Sequence, residues 1–316
     1  MLSIYSPDIS KHVKSHSDLI LKWVKTRITT NLAADNVLKN RMLADISSIL
    51  SSKPTDLIAL SQGYDLLFPK VSIHVNGQPT LVHDTRLTNI FNYTSFRKKF
   101  GFDFAKILGI SCCPYCNRNY TTSHETSQVG RATKKLVFPE FDHFYPKSDH
   151  PVLALSFYNL IPSCNVCNTH FKGSKDPIIY NLFHPYTKVK STHFNFKFFS
   201  QNYASLIGKD FAIKLDFDFN ETTAINNKLK ATISFFDIKA IYEKCHSEII
   251  KDIIDKRITY CDEYLSRLQT DYKMDFNEAY RILFETHYTE EDLHKRPFSK
   301  LKKDIYHDFE ISKYVV

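Results

Sequence analysis

Apolar residues recur three and four positions apart along the first hundred residues, and that spacing predicts helices. Ile9, Val13, Ile20, Leu21, Val24 and Ile28 form one stripe beside Trp23, opened by Ser6-Pro7 as cap and first-turn proline, so a helix is expected near 7–29. Val37, Leu38, Met42, Ile46 and Leu50 predict a second over 33–52, and residues 87–100 a third with the basic end Arg97-Lys98-Lys99. Between them, two short apolar runs around Asn76-Gly77 read as a hairpin, because Asn-Gly favours the tight turn. The period falls to two at 193–199 and 211–219, the pattern of half-buried strands. Helical spacing returns from Ile238 through Ile241, Tyr242, Cys245, Ile249, Ile253, Ile254, Ile258, Cys261 and Leu265 to Leu268, which predicts one long helix. A further helix is expected over 275–287, followed by a basic tail over 295–303.

The stretch 109–186 breaks this regularity. It is dense in Cys, Pro, Tyr and Asn and has no helical period until its end, so strands and loops closing on a short helix are expected there. The division that follows is a helical region over 1–108, a core over 109–186, and a strand pair with a long helix over 187–316. With 316 residues, 7 glycines and a 14% aromatic share, the chain reads as ordered and globular rather than low in complexity. No uncharged apolar run reaches 18 residues and the start lacks a signal-peptide pattern, so no membrane association and a cytoplasmic location are expected.

Seven cysteines, an odd number, fit metal-bound thiolates better than a disulfide framework. Cys113-Pro-Tyr-Cys116 and Cys164-Asn-Val-Cys167 are two Cys-x-x-Cys pairs, and four thiolates so paired match the tetrahedral preference of structural zinc. The two-residue spacer favours Cys113 over its neighbour Cys112 as ligand, while redox use or plain burial of the pairs is the alternative. Cys112, Cys245 and Cys261 are left over and read as small buried hydrophobes. The 47 residues between the pairs exceed a compact zinc ribbon, so they hold an insertion. The one His-x-Glu of the chain, His246-Ser-Glu248, lies downstream of both pairs, which excludes the zinc-deaminase order, and neither His-Glu-x-x-His nor a phosphate-cradling glycine loop is present.

Charge changes the picture modestly. The net charge is +8, and residues 131–190 hold eight Lys/Arg against four acids, a sign that attracts polyphosphate. Within the same stretch Asp142-His143 is an acid-imidazole pair of the kind that activates water beside a hard metal. Asn159 follows in Phe-Tyr-Asn-Leu-Ile-Pro, and Asn168 stands directly after Cys167.

Acid-His, a middle Asn and a final Asn, bracketed by the cysteine pairs over 112–173, resemble the HNH endonuclease family and its ββα-metal motif. The longer text, Cys-Pro-Tyr-Cys-Asn, Asp-His-Phe-Tyr-Pro-Lys-Ser and Leu-Ala-Leu-Ser-Phe-Tyr-Asn-Leu-Ile-Pro-Ser-Cys, looks most like the HNH subunit of Septu-type antiphage systems and their retron-linked relatives. The resemblance implies an α+β protein: a ββα-metal nuclease core with a four-cysteine zinc site, flanked by helical N- and C-terminal regions. It implies metal-dependent cleavage of nucleic acid, DNA first, in complex with an SMC/RecF-like ATPase. In that frame His143 is the general base, Asp142 and Asn168 hold a catalytic Mg²⁺ or Mn²⁺, and Asn159 accepts a bond from the second ring nitrogen of His143. Lys172 and Lys147 hold the scissile strand, and Cys113, Cys116, Cys164 and Cys167 hold structural Zn²⁺. His170, two positions past Asn168, could exchange roles with it, and Glu140 is either a supplementary ligand or a solvated carboxylate. Two other readings stand beside it: a noncatalytic zinc module that binds nucleic acid or bridges proteins, which has no reason to hold Asp142, His143, Asn159 and Asn168 together, and an RNA-cleaving toxin on the same core, which shares every site residue.

Overall fold

The computed structural model of the protein describes residues 3–4, 6–76, 78–126, 134–189 and 193–309. Gly77, Arg131 and Lys190, which carried part of the hairpin and charge expectations, lie outside the described residues. The chain divides into two compact units, Tyr5–Gly109 with Thr121–Ile179, and Met1–Ile4 with Ile110–Tyr120 and Tyr180–Val316. Helices dominate, and the four sheets among the described residues are two-stranded and antiparallel, so the class is mixed α/β. No helix among the described residues is long and apolar enough to cross a membrane.

The first unit opens with α1 (Ile9–Asn31), α2 (Asn36–Ser51) and α3 (Leu57–Leu67). Helix α1 buries Ile9, His16, Ile20, Val24 and Ile28, a stripe at seven- and then four-residue spacing in which one member is polar. Helix α2 is capped by Asp35, whose carboxylate accepts from Leu38 N at 3.0 Å. Of the expected stripe Met42, Ile46 and Leu50 are buried, joined by Ile49, and Leu38 is half-buried, whereas Val37 is 81% exposed. Helix α3 was not foreseen. The hairpin β1 (Val71–Val75) and β2 (Gln78–Val82) follows as expected, with Asn76 at φ 51° in its turn.

Residues 87–100 do not form one helix. The chain builds α4 (Thr85–Ile90) and α5 (Tyr93–Leu108), and the break is Asn92, whose side chain accepts from Ser95 N at 2.8 Å. A short amide that caps the following turn outcompetes continuation of the preceding helix. Helix α5 ends at Gly109, whose φ of 63° a residue with a Cβ adopts only with strain. The unit continues through β3 (His124–Thr126), β4 (Lys134–Val137), β5 (Glu140–His143) and β6 (Leu160–Ser163).

The second unit is built on β7 (Phe194–Ser200), α6 (Tyr203–Leu206) and β8 (Ile213–Phe219), the two strands expected from the alternation, paired antiparallel with Phe196 opposite Phe217. Phe194, Phe196 and Phe198 are buried along one face. Helix α7 (Thr223–Phe235) follows, and then the expected long helix is three: α8 (Ile238–Cys245), α9 (Ser247–Thr259) and α10 (Asp262–Asp271). His246 at φ −137° and Cys261 at ψ 173° leave the helical region, and each break turns the buried face, so that Cys245, Ile258 and Cys261 of the apolar stripe are exposed. Periodicity records the spacing of apolar residues and is blind to a break that falls between two members of the pattern. Cys245 and Cys261 are exposed, against the expectation of burial; Cys112 is buried as expected.

Helix α11 (Phe276–Leu283) is capped by Asp275, and the stretch read as a basic tail is instead α12 (Ser299–Asp308). Its cations are locally balanced: Lys300 pairs with Asp304 at 2.9 Å while both are buried, and Lys303 reaches Glu290 at 2.5 Å. Asp304 also accepts from Phe196 N at 2.9 Å, and Asp308 from Phe198 N at 3.0 Å. Two carboxylates one helical turn apart thus satisfy alternate N–H groups of the β7 edge, which would otherwise be open to pairing with another strand.

Candidate active site and cysteine cluster

In the first unit β5 and β6 form a hairpin with Asp142 opposite Ile161 and His143 opposite Leu160. The chain then winds into a π-helix, Val166–Lys172, in which Gly173 N donates to Asn168 O at 2.7 Å, five residues back. Such widened turns are uncommon and concentrate at functional sites. Gly173 stops the turn at φ 49° and ψ −133°, a conformation open essentially to glycine alone.

This hairpin and turn form one side of a cleft of about 750 Å³ lined by Glu140, Asp142, His143, Lys147 and Asn168. The α4–α5 corner forms the other side, with Thr88, Asn92, Tyr93, Thr94 and Arg97. Sequence reading missed that second wall. Nothing local marks those residues, because their relation to Asp142 is made only by folding.

Strand alternation puts Glu140 and Asp142 on one side of β5. Asp142 is 1% exposed and His143 8%. His143 Nε2 lies 3.1 Å from Ala154 O, and since a carbonyl only accepts, Nε2 carries the proton and Nδ1 the lone pair. Burial pushes the imidazole down to about 3, with Lys147 adding to the shift, so it is neutral near pH 7. The ring meets Tyr93 edge-on at 4.4 Å, and Lys147 Nζ lies over that tyrosine at 4.7 Å.

Asn159 does not meet the imidazole as expected. It is fully buried, accepts from Tyr145 N at 2.8 Å, and donates to Tyr145 O and Leu153 O at 3.1 Å each. An amide with matched donors and acceptors on two backbone segments fixes the loop carrying Ala154, so it acts on His143 at one remove. Asn168 Nδ2 donates to Glu140 Oε2 at 2.8 Å, and Asn165 Nδ2 to Oε1 at 3.0 Å. Glu140 is half-buried and committed: it ties the strand to the turn. His170 is exposed and is not among the cleft-lining residues described.

Lys172, expected to hold a substrate strand, is fully buried. Its Nζ donates to Lys175 O at 2.7 Å and His143 O at 3.4 Å. Burial lowers its pKa, opposed by the nearby Asp142 carboxylate. The ammonium thus supports the site from within, and Lys147 is the lysine that lines the cleft.

The Sγ atoms of Cys113, Cys116, Cys164 and Cys167 all lie within 4.8 Å of one another, and all four residues are buried. Zinc–sulfur bonds of about 2.3 Å at tetrahedral angles need sulfurs roughly 3.8 Å apart, so the cluster can hold a metal ion with small adjustment. The first pair lies on a tight knuckle: Asn117 N donates to Cys113 O at 2.7 Å, Asn117 has φ 47°, and Arg118 N approaches Cys116 Sγ at 3.5 Å. An N–H aimed at sulfur stabilises thiolate over thiol. Cys112 stands outside the quartet; burial first, then Cys116, pushes its thiol up to about 12, which leaves it protonated.

No family model matches the chain, and neither a curated protein nor a solved structure matches it.

Proposed function

We propose that the cleft is the active site of a metal-dependent endonuclease of the HNH kind, acting on nucleic acid and on DNA first. The observation that carries this reading is the convergence of Asp142, His143 and Asn168 on one cleft, with the imidazole held in a single tautomer. A noncatalytic module has no need of a neutral, oriented imidazole beside a buried carboxylate.

Hydrolysis needs a water relieved of its proton in line with the leaving oxygen. His143 Nδ1 takes that proton. Its proton affinity rises when an anionic phosphate enters, because opposite charge favours the protonated form. Asp142 and Asn168 offer hard oxygen donors that suit Mg²⁺ or Mn²⁺, and such an ion would supply positive charge against the developing alkoxide. The Glu140 bond occupies the nitrogen end of the Asn168 amide and leaves Oδ1 as the end able to meet a cation. Lys147 and Arg97 supply positive charge on the cleft walls for the substrate backbone. Asn159 and Lys172 hold the loop around His143.

In this proposal the cysteine quartet binds a structural Zn²⁺ in a ββα-metal core, and the enzyme is the effector of an antiphage complex with an SMC/RecF-like ATPase docked on the helical flanks. The test is incubation of the purified protein, with and without a co-expressed ATPase neighbour, with plasmid DNA and total RNA. Cleavage of DNA that requires Mg²⁺ or Mn²⁺ supports the reading; RNA cut in its place favours the toxin alternative.

A further inference from the structure

Three consecutive backbone carbonyls beside the cleft each accept a side-chain N–H. Leu153 O takes Asn159 Nδ2 at 3.1 Å, Ala154 O takes His143 Nε2 at 3.1 Å, and Leu155 O takes His16 Nε2 at 2.8 Å. The third donor comes from the middle of α1, 139 positions away from Leu155 in the chain.

We infer that His16 is a positioning residue for the reaction: by fixing the Leu155 carbonyl it holds the neighbouring Ala154 carbonyl in the direction that keeps His143 protonated on Nε2 and basic on Nδ1. The kinetic part of this inference rests on the endonuclease reading, whereas the tautomer of His143 is a property of the chain alone.

The packing around His16 makes its polarity costly. Its ring lies among Phe96, Phe104 and Phe157, with centroids 5.9, 4.7 and 5.8 Å away, and it is fully buried. Its Nδ1 is buried with no hydrogen-bond partner among the described residues. A phenylalanine would fill this place without desolvating two nitrogens, so what imidazole adds is the single bond to Leu155. Burial pushes His16 down to about 4, which makes it a neutral donor through Nε2 at ordinary pH.

The turn it serves has little slack. Ser156 N donates to Leu153 O at 3.1 Å and Ser156 Oγ to Ile49 O at 2.7 Å, so Leu155 is pinned on its C-terminal side as well. Adjacent peptide planes share one Cα, and rotation of the Leu155 carbonyl must be taken up by dihedrals that also aim Ala154 O. Phe104 provides a second connection, since it packs on His16 at 4.7 Å and on Phe141 at 4.9 Å, next in sequence to Asp142.

Ring ¹⁵N NMR of the full-length protein tests the arrangement directly. Wild type should show His143 and His16 both protonated on Nε2; an Nδ1–H form of either would overturn the inference without any variant. His16→Phe keeps the ring and removes the donor, and should give His143 mixed tautomers, with kcat lowered about tenfold to a hundredfold and KM little changed. His16→Gln, which can present an N–H to Leu155 O, should restore both. If His16→Phe lowers only the melting temperature, leaving the His143 tautomer and kcat at wild-type values, His16 is structural and the inference fails. Should wild type cleave no nucleic acid, the endonuclease reading fails, while the NMR comparison still decides the role of His16.

Discussion

The Asn168 amide donates to the Glu140 carboxylate at 2.8 Å, and that bond decides which end of the amide is presented as oxygen. An amide is a weak neutral cation ligand and is ambiguous by a half-turn; a carboxylate on one side removes the ambiguity because it only accepts.

Glu140→Ala should therefore raise the Mn²⁺ concentration needed for half-maximal cleavage by at least several-fold, since Asn168 is then free to turn its nitrogen toward the ion. Asn168→Ala should impair cleavage far more than His170→Ala, whose side chain is exposed. A Mn²⁺ titration of each variant checks both; an inactive His170→Ala beside an active Asn168→Ala would reverse the assignment.

The cysteine quartet predicts a stability effect. Cys116→Ser or Cys164→Ser should release about one zinc per chain and lower thermal stability, because metal binding and folding are coupled at such sites. Elemental analysis and melting curves test it, and full stability with no metal bound in wild type would refute the zinc assignment. Cys112→Ser should change neither metal content nor stoichiometry, since its thiol stands outside the cluster.

Much of this site was legible in the sequence. Cysteine spacing identified the four clustered thiols, and the segment from Glu140 to Asn168 carried Asp142, His143 and Asn168 onto one cleft because the β5–β6 hairpin leads directly into the turn that Glu140 holds against it. The roles of Lys172 and Asn159 were not legible. Each depends on whether a polar end meets solvent or a backbone carbonyl, and no spacing rule records that. His16 was hidden for a related reason: a helical stripe shows which positions are buried, and a polar member shows its purpose only when its partner is known. The split of 87–100 and of 238–268 was missed because apolar residues recur at helical spacing across each break, and the spacing does not record the capping side chain or turn that interrupts it.

His16 also predicts acid lability. Its pKa is near 4 in the folded state against 6.5 when exposed, so the folded chain binds fewer protons between those values. The stability this represents is complete above about pH 6.5 and falls as pH drops toward 4, by about 3 kcal/mol in all. Urea unfolding at a series of pH values should show that slope in wild type and a shallower one in His16→Phe; equal slopes would remove His16 as its source.

An ordinary imidazole would make cleavage rise through pH 6 to 7, as the sequence by itself leads one to expect. Burial of His143 pushes it down to about 3, so the imidazole of the unliganded protein is already deprotonated and kcat/KM for the proposed cleavage should show no histidine inflection between pH 5 and 8. A pH–rate series at fixed Mn²⁺ distinguishes the two, and a clean inflection near 6.5 would mean that the imidazole is more open to water than the fold makes it.

The most direct measurement is cleavage of plasmid DNA and total RNA by wild type and by His143→Ala, each purified alone and with any protein that co-purifies, in Mg²⁺ or Mn²⁺ and again in excess EDTA. The account predicts divalent-dependent cutting by wild type and a loss of at least about a hundredfold in a folded, metal-competent His143→Ala. Cleavage undiminished in His143→Ala, or persisting in EDTA, would contradict it.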